Sequence, residues 1–235
     1  MDILFDLDGT LVDPRPGLIG SVQYALQKLG HPVLPAHELL WLIGPPLRVS
    51  FPMLLGSAER LEEAIGYYRE RYAGGAMLDA VVYDGVPEVL ATLRAAGHRL
   101  IVATAKPHRY ARPILEHFGL AGDFHAIHGP EPDGTNDDKA DLIAHIVRHE
   151  AVDPAAALMI GDRAFDLVAA TRNGLPAVGV TWGYGNAEEL AGAAALCASP
   201  RELAEVVHGL ELGGAAAAAP RIPAAAPPDR PGDRI

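Results

Sequence analysis

Short apolar runs alternate with helical patterns from Gly85 onward, and this alternation restricts the possible folds more than any other feature of the sequence. Strands separated by helices are typical of a parallel sheet that is covered by helices. A further apolar run at residues 3–5 predicts a buried strand almost at the N-terminus. We therefore expect an α/β protein whose core is a Rossmann-like parallel sheet.

The segment 14–83 interrupts this alternation with helical patterns alone. Helices are predicted there over 17–29, 36–43, 47–55 and 59–72, from apolar residues that recur with the helical period. The pattern predicts a helical domain inserted into a core that is formed by 1–13 and 84–212.

The last segment, residues 213–235, is rich in Ala and Pro and has only Ile222 and Ile235 as large apolar residues. Such a segment buries too little apolar surface to offset the entropic cost of ordering it. We predict a disordered tail.

The composition restricts the partners and the location of the protein. A formal net charge of −11 disfavours binding to a nucleic-acid backbone. No apolar run approaches the roughly 20 residues that a membrane helix needs. The N-terminus lacks the basic residues of a secretory signal, and Cys197 is the only cysteine. We expect a cytoplasmic protein that binds neither nucleic acid nor a membrane.

Two pairs of aspartates follow predicted strands. Asp6 and Asp8 come after the first strand, and Asp162 and Asp166 come after the strand predicted over 157–160. Turn and capping roles explain each acid taken alone, and Asp162 can cap the next helix. Ligands bind outside the carboxyl ends of parallel strands, so four carboxylates there predict a hard divalent cation. Mg²⁺ fits, because it takes carboxylate oxygens and keeps waters for a substrate phosphate.

Three further polar residues fall near the same ends of the predicted strands. Lys139 is in the first turn of a predicted helix, where a cation is electrostatically disfavoured. Either neighbouring aspartates offset its charge on a solvated face, or it points at the acids and at a substrate anion, and we favour the second interpretation. Thr104 ends another strand, where its hydroxyl can donate to a phosphate oxygen. Lys106 either adds positive charge there or is exposed.

Together these features resemble the haloacid dehalogenase superfamily of phosphohydrolases. Its first motif, D-x-D-G-T, corresponds to residues 6–10, and its fourth, G-D-x-x-x-D, corresponds to residues 161–166. Thr104 and Lys139 match the second and third motifs. Order and spacing agree over about 1–210, and the helical insert resembles the mobile cap of the family above a catalytic core.

The resemblance implies a mechanism and a ligand set. Asp6 would be the nucleophile that forms an aspartyl-phosphate. Asp8 would protonate the leaving oxygen and then activate the water that cleaves the intermediate. Mg²⁺ would bind the Asp6 carboxylate, the Asp8 backbone carbonyl and Asp162. Asp166 would support the ion directly or through water.

Six residues are candidates for contact with the substrate. They are Gly9, Arg48, Thr104, Ala105, Lys106 and Lys139. The resemblance implies that Thr104 and Lys139 hold the phosphoryl oxygens and spread the charge of the transition state. Arg48, beside the Gly-Pro-Pro turn at 44–46, is either a contact from the cap to the substrate or a solvated surface residue.

More closely, the chain resembles the bacterial branch of phosphoglycolate phosphatases and 5′-nucleotidase-like enzymes. The likeness rests on residues 21–26, 43–48, 83–85, 103–107 and 133–135. Ala105 departs from the branch, which usually has Ser there, and loses a possible hydroxyl contact. The resemblance implies a Mg²⁺-dependent hydrolase of a small phosphorylated metabolite, as a monomer or homodimer. A phosphomutase of the same superfamily and a non-enzymatic phospho-acceptor module are the alternatives.

Overall fold

The protein is described by a computed structural model over residues 1–131 and 134–213. The predicted tail, 213–235, lies outside the described residues except for Gly213, which ends the last helix. No helix in these ranges is both long enough and apolar enough to cross a membrane.

Strands and helices alternate along much of the chain. The strands are β1 (Asp2–Phe5), β2 (Val12–Asp13), β3 (Val81–Val82), β4 (Arg99–Ala103), β5 (Ala126–His128), β6 (Ala157–Gly161), β7 (Ala177–Val180) and β8 (Ala195–Cys197). The α-helices are α1 (Arg15–Leu29), α2 (Leu47–Leu55), α3 (Leu61–Ala73), α4 (Val86–Ala95), α5 (His108–His117), α6 (Lys139–His149), α7 (Ala164–Arg172) and α8 (Leu203–Gly213). Shorter 3₁₀ helices span Ala36–Leu42, Ala76–Leu78, Ala121–Asp123, Pro154–Ala156 and Pro200–Glu202.

Six parallel strands form one sheet in the order β5-β4-β1-β6-β7-β8, which confirms the predicted α/β fold. The central strand β1 pairs with β4 on one side and β6 on the other, with Phe5 opposite both Val102 and Ile160. The three strands therefore end at nearly the same level. Their next residues, among them Asp6 and Asp162, emerge at one edge of the sheet.

Both faces of the sheet are covered by apolar side chains. Along β1, Ile3 and Phe5 pack into one hydrophobic cluster and Leu4 packs into the other. Side chains of a strand alternate between faces, so a strand buried on both sides reads as a continuous apolar run. Burial on both faces explains why residues 3–5 of β1 are all apolar.

The helices between β2 and β3 have a hydrophobic cluster of their own. Its members include Val22, Phe51, Ile65 and Tyr68, each of which is at most 5% exposed. The two-residue strands β2 and β3 pair antiparallel where the chain enters and leaves this segment. The division of the chain into a core and a cap over 14–83 stays a prediction.

The sequence pattern also predicts a short helix over 187–191, and this prediction is wrong. The segment forms turns, in which the Asn186 side chain accepts hydrogen bonds from the backbone N–H groups of Glu188 and Glu189. The Glu189 side chain in turn binds Arg163 and the backbone N–H of Ala164. These bonds stabilise a turn against the start of α7, which local helical preference does not anticipate.

Candidate active site

Three carboxylates converge at the carboxyl edge of the sheet. Asp6, Asp162 and Asp166 each place one oxygen within 4.8 Å of the others, and all three residues are buried. Asp6 follows β1 and Asp162 follows β6, while Asp166 lies in the first turn of α7. The aspartates that the sequence placed at two strand ends are therefore neighbours in space.

Lys139 lies against this cluster. Its Nζ is 2.7 Å from Asp6 Oδ1 and also forms an ion pair with Asp166. Asp138 caps α6 by accepting hydrogen bonds from the N–H groups of Ala140 and Asp141, which sets Lys139 as the first helical residue. Burial alone would lower the pKa of Lys139, but the facing carboxylates outweigh it and raise that pKa. The ammonium group thus stays charged in the site.

The negative charge of the three carboxylates exceeds the positive charge of the Lys139 ammonium group that faces them. Burial, reinforced by Asp166 and Asp6, raises the pKa of Asp162 to about 8. Burial also raises the pKa of Asp166 to about 6, although Lys139 opposes the shift. Buried like charges raise each other's pKa unless a cation neutralises them. An all-oxygen donor set with this excess of negative charge fits a hard divalent cation such as Mg²⁺.

Asp8 lies outside the cluster of three carboxylates and pairs with Lys106. Asp8 Oδ2 is 2.8 Å from Lys106 Nζ, which also donates to the Tyr72 hydroxyl and lies 4.7 Å from the centroid of that ring. Lys106 is 7% exposed, so the interpretation that it is an exposed surface residue is wrong. Within the described residues, Asp8 Oδ1 is buried without a hydrogen-bond partner. The described residues therefore leave the hydrogen-bonding capacity of that oxygen unused.

Thr104 and Gly9 also lie after strands, Thr104 after β4 and Gly9 after β1. Thr104 is buried, and its Oγ1 accepts a hydrogen bond from the Lys106 N–H at 3.2 Å, so its own hydrogen remains to be donated. Gly9 has φ +89°, and a Cβ there would lie 2.2 Å from Asp162 Oδ2. Only glycine meets both requirements. Ala105 lines the cavities beside these residues.

Arg48 lines the same cavities, but its guanidinium group is already paired with Glu62 on the surface of the helical segment. Exposed pairs of this kind contribute little to stability, so Glu62 is a weak competitor for Arg48.

The residue that caps the N-terminus of α7 is not the one that the sequence suggested. The N-cap residue is Arg163, whose N–H donates to Asp166 Oδ2 at 3.0 Å. The alternative that Asp162 caps this helix is therefore wrong, and its Oδ2 instead accepts a hydrogen bond from the Tyr184 N–H at 2.7 Å. Asp162 is thereby aimed into the acid cluster.

The sequence predicts a loop at 182–185 after β7, but not that this loop encloses Asp162. The Trp182 indole donates to the Thr10 carbonyl at 3.0 Å, and the Tyr184 hydroxyl donates to Asp13. A Cβ on Gly183 or Gly185 would overlap Asp162. The signal was present as two glycines alternating with aromatic residues after a strand, since glycine in such a loop often marks a close approach.

Replacing Gly185 by Ala is expected to destabilise the protein by at least about 2 kcal/mol, because the new Cβ would lie 1.8 Å from the Asp162 carbonyl oxygen. Chemical denaturation measures the loss. Gly66→Ala is the matched control, since its Cβ meets nothing within 4 Å inside α3 and is expected to stabilise slightly. Equal stability of the two variants would contradict the close packing.

Replacing Asp162 by Asn is expected to raise the melting temperature of the metal-free protein at pH 8 by at least about 2 °C. The pKa of Asp162 is raised from 3.8 to about 8 on folding. Its contribution to stability is present below pH 4 and is lost as the pH rises to 8. Asn avoids that loss and can still accept from the Tyr184 N–H.

Added Mg²⁺ is expected to stabilise the wild type, by binding only the folded state, and to leave Asp162→Asn unchanged. Thermal melts at pH 6 and 8, with and without Mg²⁺, measure both effects. Asp84→Asn, at a highly exposed side chain, is the control. Equal stabilisation of Asp162→Asn and the wild type by Mg²⁺ would remove Asp162 from the ion site.

Comparison with known proteins agrees with this geometry. The model of the haloacid dehalogenase-like hydrolase family matches residues 3–180. The 5′-nucleotidase of Pseudomonas aeruginosa is 46% identical over 190 residues, which are 80% of this chain and 86% of that protein. The tyrosine-protein kinase PtkA of Mycobacterium tuberculosis is 39% identical over 186 residues, 79% of this chain and 64% of that protein.

Two further comparisons bear on the fold and the branch. The crystal structure of a predicted phosphatase from Clostridium acetobutylicum superposes with a TM-score of 0.85 at 40% identity, covering 89% of this chain and 98% of that one. Phosphoglycolate phosphatase 1 of Pseudomonas aeruginosa is 29% identical over 197 residues, 80% of this chain and 72% of that protein. The match over residues 3–180 confirms what the motifs predicted: the chain belongs to the haloacid dehalogenase-like hydrolase family.

Proposed function

We propose that the protein is a Mg²⁺-dependent phosphoric monoester hydrolase that acts through an aspartyl-phosphate on Asp6. The observation that carries the proposal is the buried convergence of three carboxylates with one ammonium group, next to a fourth carboxyl that has an unpartnered oxygen among the described residues. Such a set supplies a nucleophile, a proton carrier and the charges that a phosphoryl group needs.

The carboxylates of Asp6, Asp162 and Asp166 would hold the Mg²⁺ ion, together with the Asp8 carbonyl. When bound, the ion would neutralise negative charge on the phosphoryl oxygens and on the attacking carboxylate. The raised pKa values of Asp162 and Asp166 support this assignment, because both report charge that the protein alone leaves uncompensated.

The first step makes one bond and breaks one. An Asp6 carboxylate oxygen bonds to phosphorus as the bond from phosphorus to the ester oxygen breaks, and Asp8 delivers a proton to the leaving oxygen. In the second step Asp8 takes a proton from water. The water oxygen bonds to phosphorus, the bond to Asp6 breaks, and phosphate leaves. Burial raises the pKa of Asp8, although Lys106 opposes the shift, which suits a group that must hold a proton.

Lys139 and Thr104 would bind the phosphoryl oxygens during both steps. The Lys139 Nζ lies 2.7 Å from Asp6 Oδ1, so a phosphoryl group on Asp6 would be within reach of this ammonium group. The Thr104 hydroxyl has a hydrogen to donate. Preformed donors of this kind stabilise developing charge without reorganisation.

The cavities favour a nucleoside 5′-monophosphate over a two-carbon substrate. A cavity of about 330 Å³ reaches Asp6, Asp166 and Lys139, and an adjoining one of about 120 Å³ reaches Asp8 between rings that include Tyr68 and Tyr110. Space of this order accommodates a ligand well beyond glycolate in size. The higher identity to a 5′-nucleotidase than to a phosphoglycolate phosphatase supports the same choice.

We also propose that 14–83 acts as a cap over these cavities. Tyr72 from α3 contacts Lys106 from the loop after β4, so the helical segment reaches the ion pair of Asp8. Closure over a site excludes water during transfer. A cytoplasmic location and a monomeric or homodimeric state stay predictions.

The test is phosphate release by the full chain with Mg²⁺ and after chelation. The panel holds nucleoside 5′-monophosphates, phosphoglycolate, tyrosine phosphate, sugar phosphates and p-nitrophenyl phosphate. Mg²⁺-dependent release that is fastest from the nucleotides is expected. Preference for phosphoglycolate would overturn the substrate choice alone. Isomerisation of a sugar phosphate without release would indicate a phosphomutase, and a stable phosphoprotein would indicate a phospho-acceptor module.

A further inference from the structure

Lys106 is a buried cation to which the proposed mechanism gives no step. It lies in the loop after β4, and its Nζ is 2.8 Å from Asp8 Oδ2. The same Nζ donates to the Tyr72 hydroxyl and lies 4.7 Å from the centroid of the Tyr72 ring. Two of the three donors of the ammonium group are therefore occupied by atoms of the protein.

Helix α3 fixes the position of Tyr72 and, through it, the position of Lys106. The buried Tyr72 ring stacks on Tyr68 at a centroid distance of 5.1 Å and packs edge to face with Tyr110 at 5.4 Å. A ring that is packed on two sides has little freedom to move, so its hydroxyl stays in one place. The Lys106 ammonium group is therefore held from the side opposite to Asp8.

Stability alone explains this arrangement poorly. Taking an ammonium group out of water is costly, and a buried ion pair often stabilises a protein no more than apolar side chains of similar volume. Leu18, Leu42 and Ile65 line the same cavity as Lys106, so an apolar side chain would find partners there. A role in the chemistry of Asp8 is the better explanation of the pair.

The pair distinguishes the two oxygens of Asp8. The last side-chain torsion of an aspartate is broad, so an unrestrained carboxyl group presents either oxygen in many directions. Here Oδ2 is tied to Lys106, while Oδ1 is buried without a hydrogen-bond partner among the described residues. A proton donor must lie within hydrogen-bond reach of the atom that it protonates. A carboxyl group that rotated freely would meet this condition for only part of the time.

We propose that Lys106 is a positioning residue that holds Asp8 by Oδ2 and directs Oδ1 toward the leaving oxygen of the substrate, with Tyr72 holding Lys106 in turn. The inference rests on the proposed function, in which Asp8 protonates that oxygen. The bond from phosphorus to the ester oxygen breaks, its electron pair stays on the oxygen, and the proton of Oδ1 moves to it. Lys106 exchanges no proton and acts through Asp8, not on the phosphoryl group.

Leaving groups that differ in their need for a proton test this role. The 5′ oxygen of a nucleoside leaves poorly without a proton, whereas p-nitrophenolate leaves readily without one. Rapid-quench measurement of nucleoside and p-nitrophenol release reports the first step for each substrate, before the intermediate is hydrolysed. Lys106→Met should slow nucleoside release about 10²-fold and p-nitrophenol release less than about threefold, with little change in KM. Lys28→Met, at an exposed lysine, should change neither rate.

Tyr72→Phe is the second variant, and it decides the matter if Lys106→Met does not fold. It keeps the ring and loses the hydroxyl that accepts from Lys106. Nucleoside release should slow about three- to tenfold, and p-nitrophenol release should not change. Tyr24→Phe is the matched control, because the Tyr24 hydroxyl donates to Glu70 at 2.6 Å in the same helical segment, outside the residues that line the two cavities. Its loss should change neither rate.

The outcomes separate this inference from the proposed function. Equal slowing of both products by Lys106→Met, with an unchanged circular dichroism spectrum, would overturn the inference, because a contact with the phosphoryl group affects both substrates alike. Unchanged nucleoside release in every folded variant would also overturn it. Both results leave the hydrolase proposal intact. A wild type that releases neither product would overturn the hydrolase proposal, and this inference with it.

Discussion

Phosphate release is expected to fall by about four orders of magnitude or more when Asp6 is replaced by Asn. The amide has nearly the size and shape of the carboxylate but cannot act as the nucleophile. Lys139 keeps its ion pair with Asp166 in the variant, so the fold should remain intact. Steady-state kinetics with Mg²⁺ measure the loss, and thermal melts verify folding.

Asp141→Asn provides the matched control for this substitution. Asp141 is an exposed acid in the first turn of α6, close to Lys139 in sequence but outside the acid cluster. Its activity should stay within about twofold of the wild type, since exposed charges have small effects. Release by a folded Asp6→Asn variant at more than a few per cent of the wild-type rate would show that another group attacks phosphorus.

Replacing Lys139 by Met should damage both activity and stability. Loss of the ammonium group removes a charge that would stabilise the transferred phosphoryl group, and a fall of about 10³-fold in kcat is expected. The same change leaves Asp6 and Asp166 without their shared cation. Breaking a buried ion pair from one side costs about 3–5 kcal/mol, which chemical denaturation of the metal-free protein at pH 8 would detect.

The pH dependence separates this electrostatic cost from a packing defect. The pKa of Asp166 is already raised to about 6, so its stabilising contribution is present below pH 4 and is lost as the pH rises to 6. Removing Lys139 raises the pKa of Asp166 further, so the loss of stability continues to higher pH. The deficit of the variant should therefore be smaller at pH 5 than at pH 8. A deficit that is independent of pH would point to packing, and Lys28→Met, at an exposed lysine, is the control.

Much of the acid cluster could be predicted because its signals are local. A strand that is buried on both faces reads as an apolar run, and the residue after it must emerge at the carboxyl edge of the sheet. That reasoning placed Asp6 and Asp162 together without knowledge of their contacts. Lys139 was predictable for a similar reason, since a cation in the first turn of a helix opposes the helix dipole and needs a compensating partner.

Other contacts depend on packing between segments that are distant in sequence. Lys106 is buried against Asp8, which follows β1, and against Tyr72 of α3, so spacing within its own loop could not distinguish burial from exposure. The turns at 187–191 replace a predicted helix because Glu189 binds the start of α7.

The sequence by itself determined the family, the parallel sheet and the strand ends that carry the acids, because hydrophobic period and glycine turns act over a few residues. Only the tertiary structure decided how those acids are used. It orients Asp162 through a hydrogen bond from the Tyr184 N–H and pairs Asp8 with Lys106. It also brings His128 next to His145 and His149 of α6. Each of these partners is chosen by the packing of elements onto one another, and no local pattern encodes that choice.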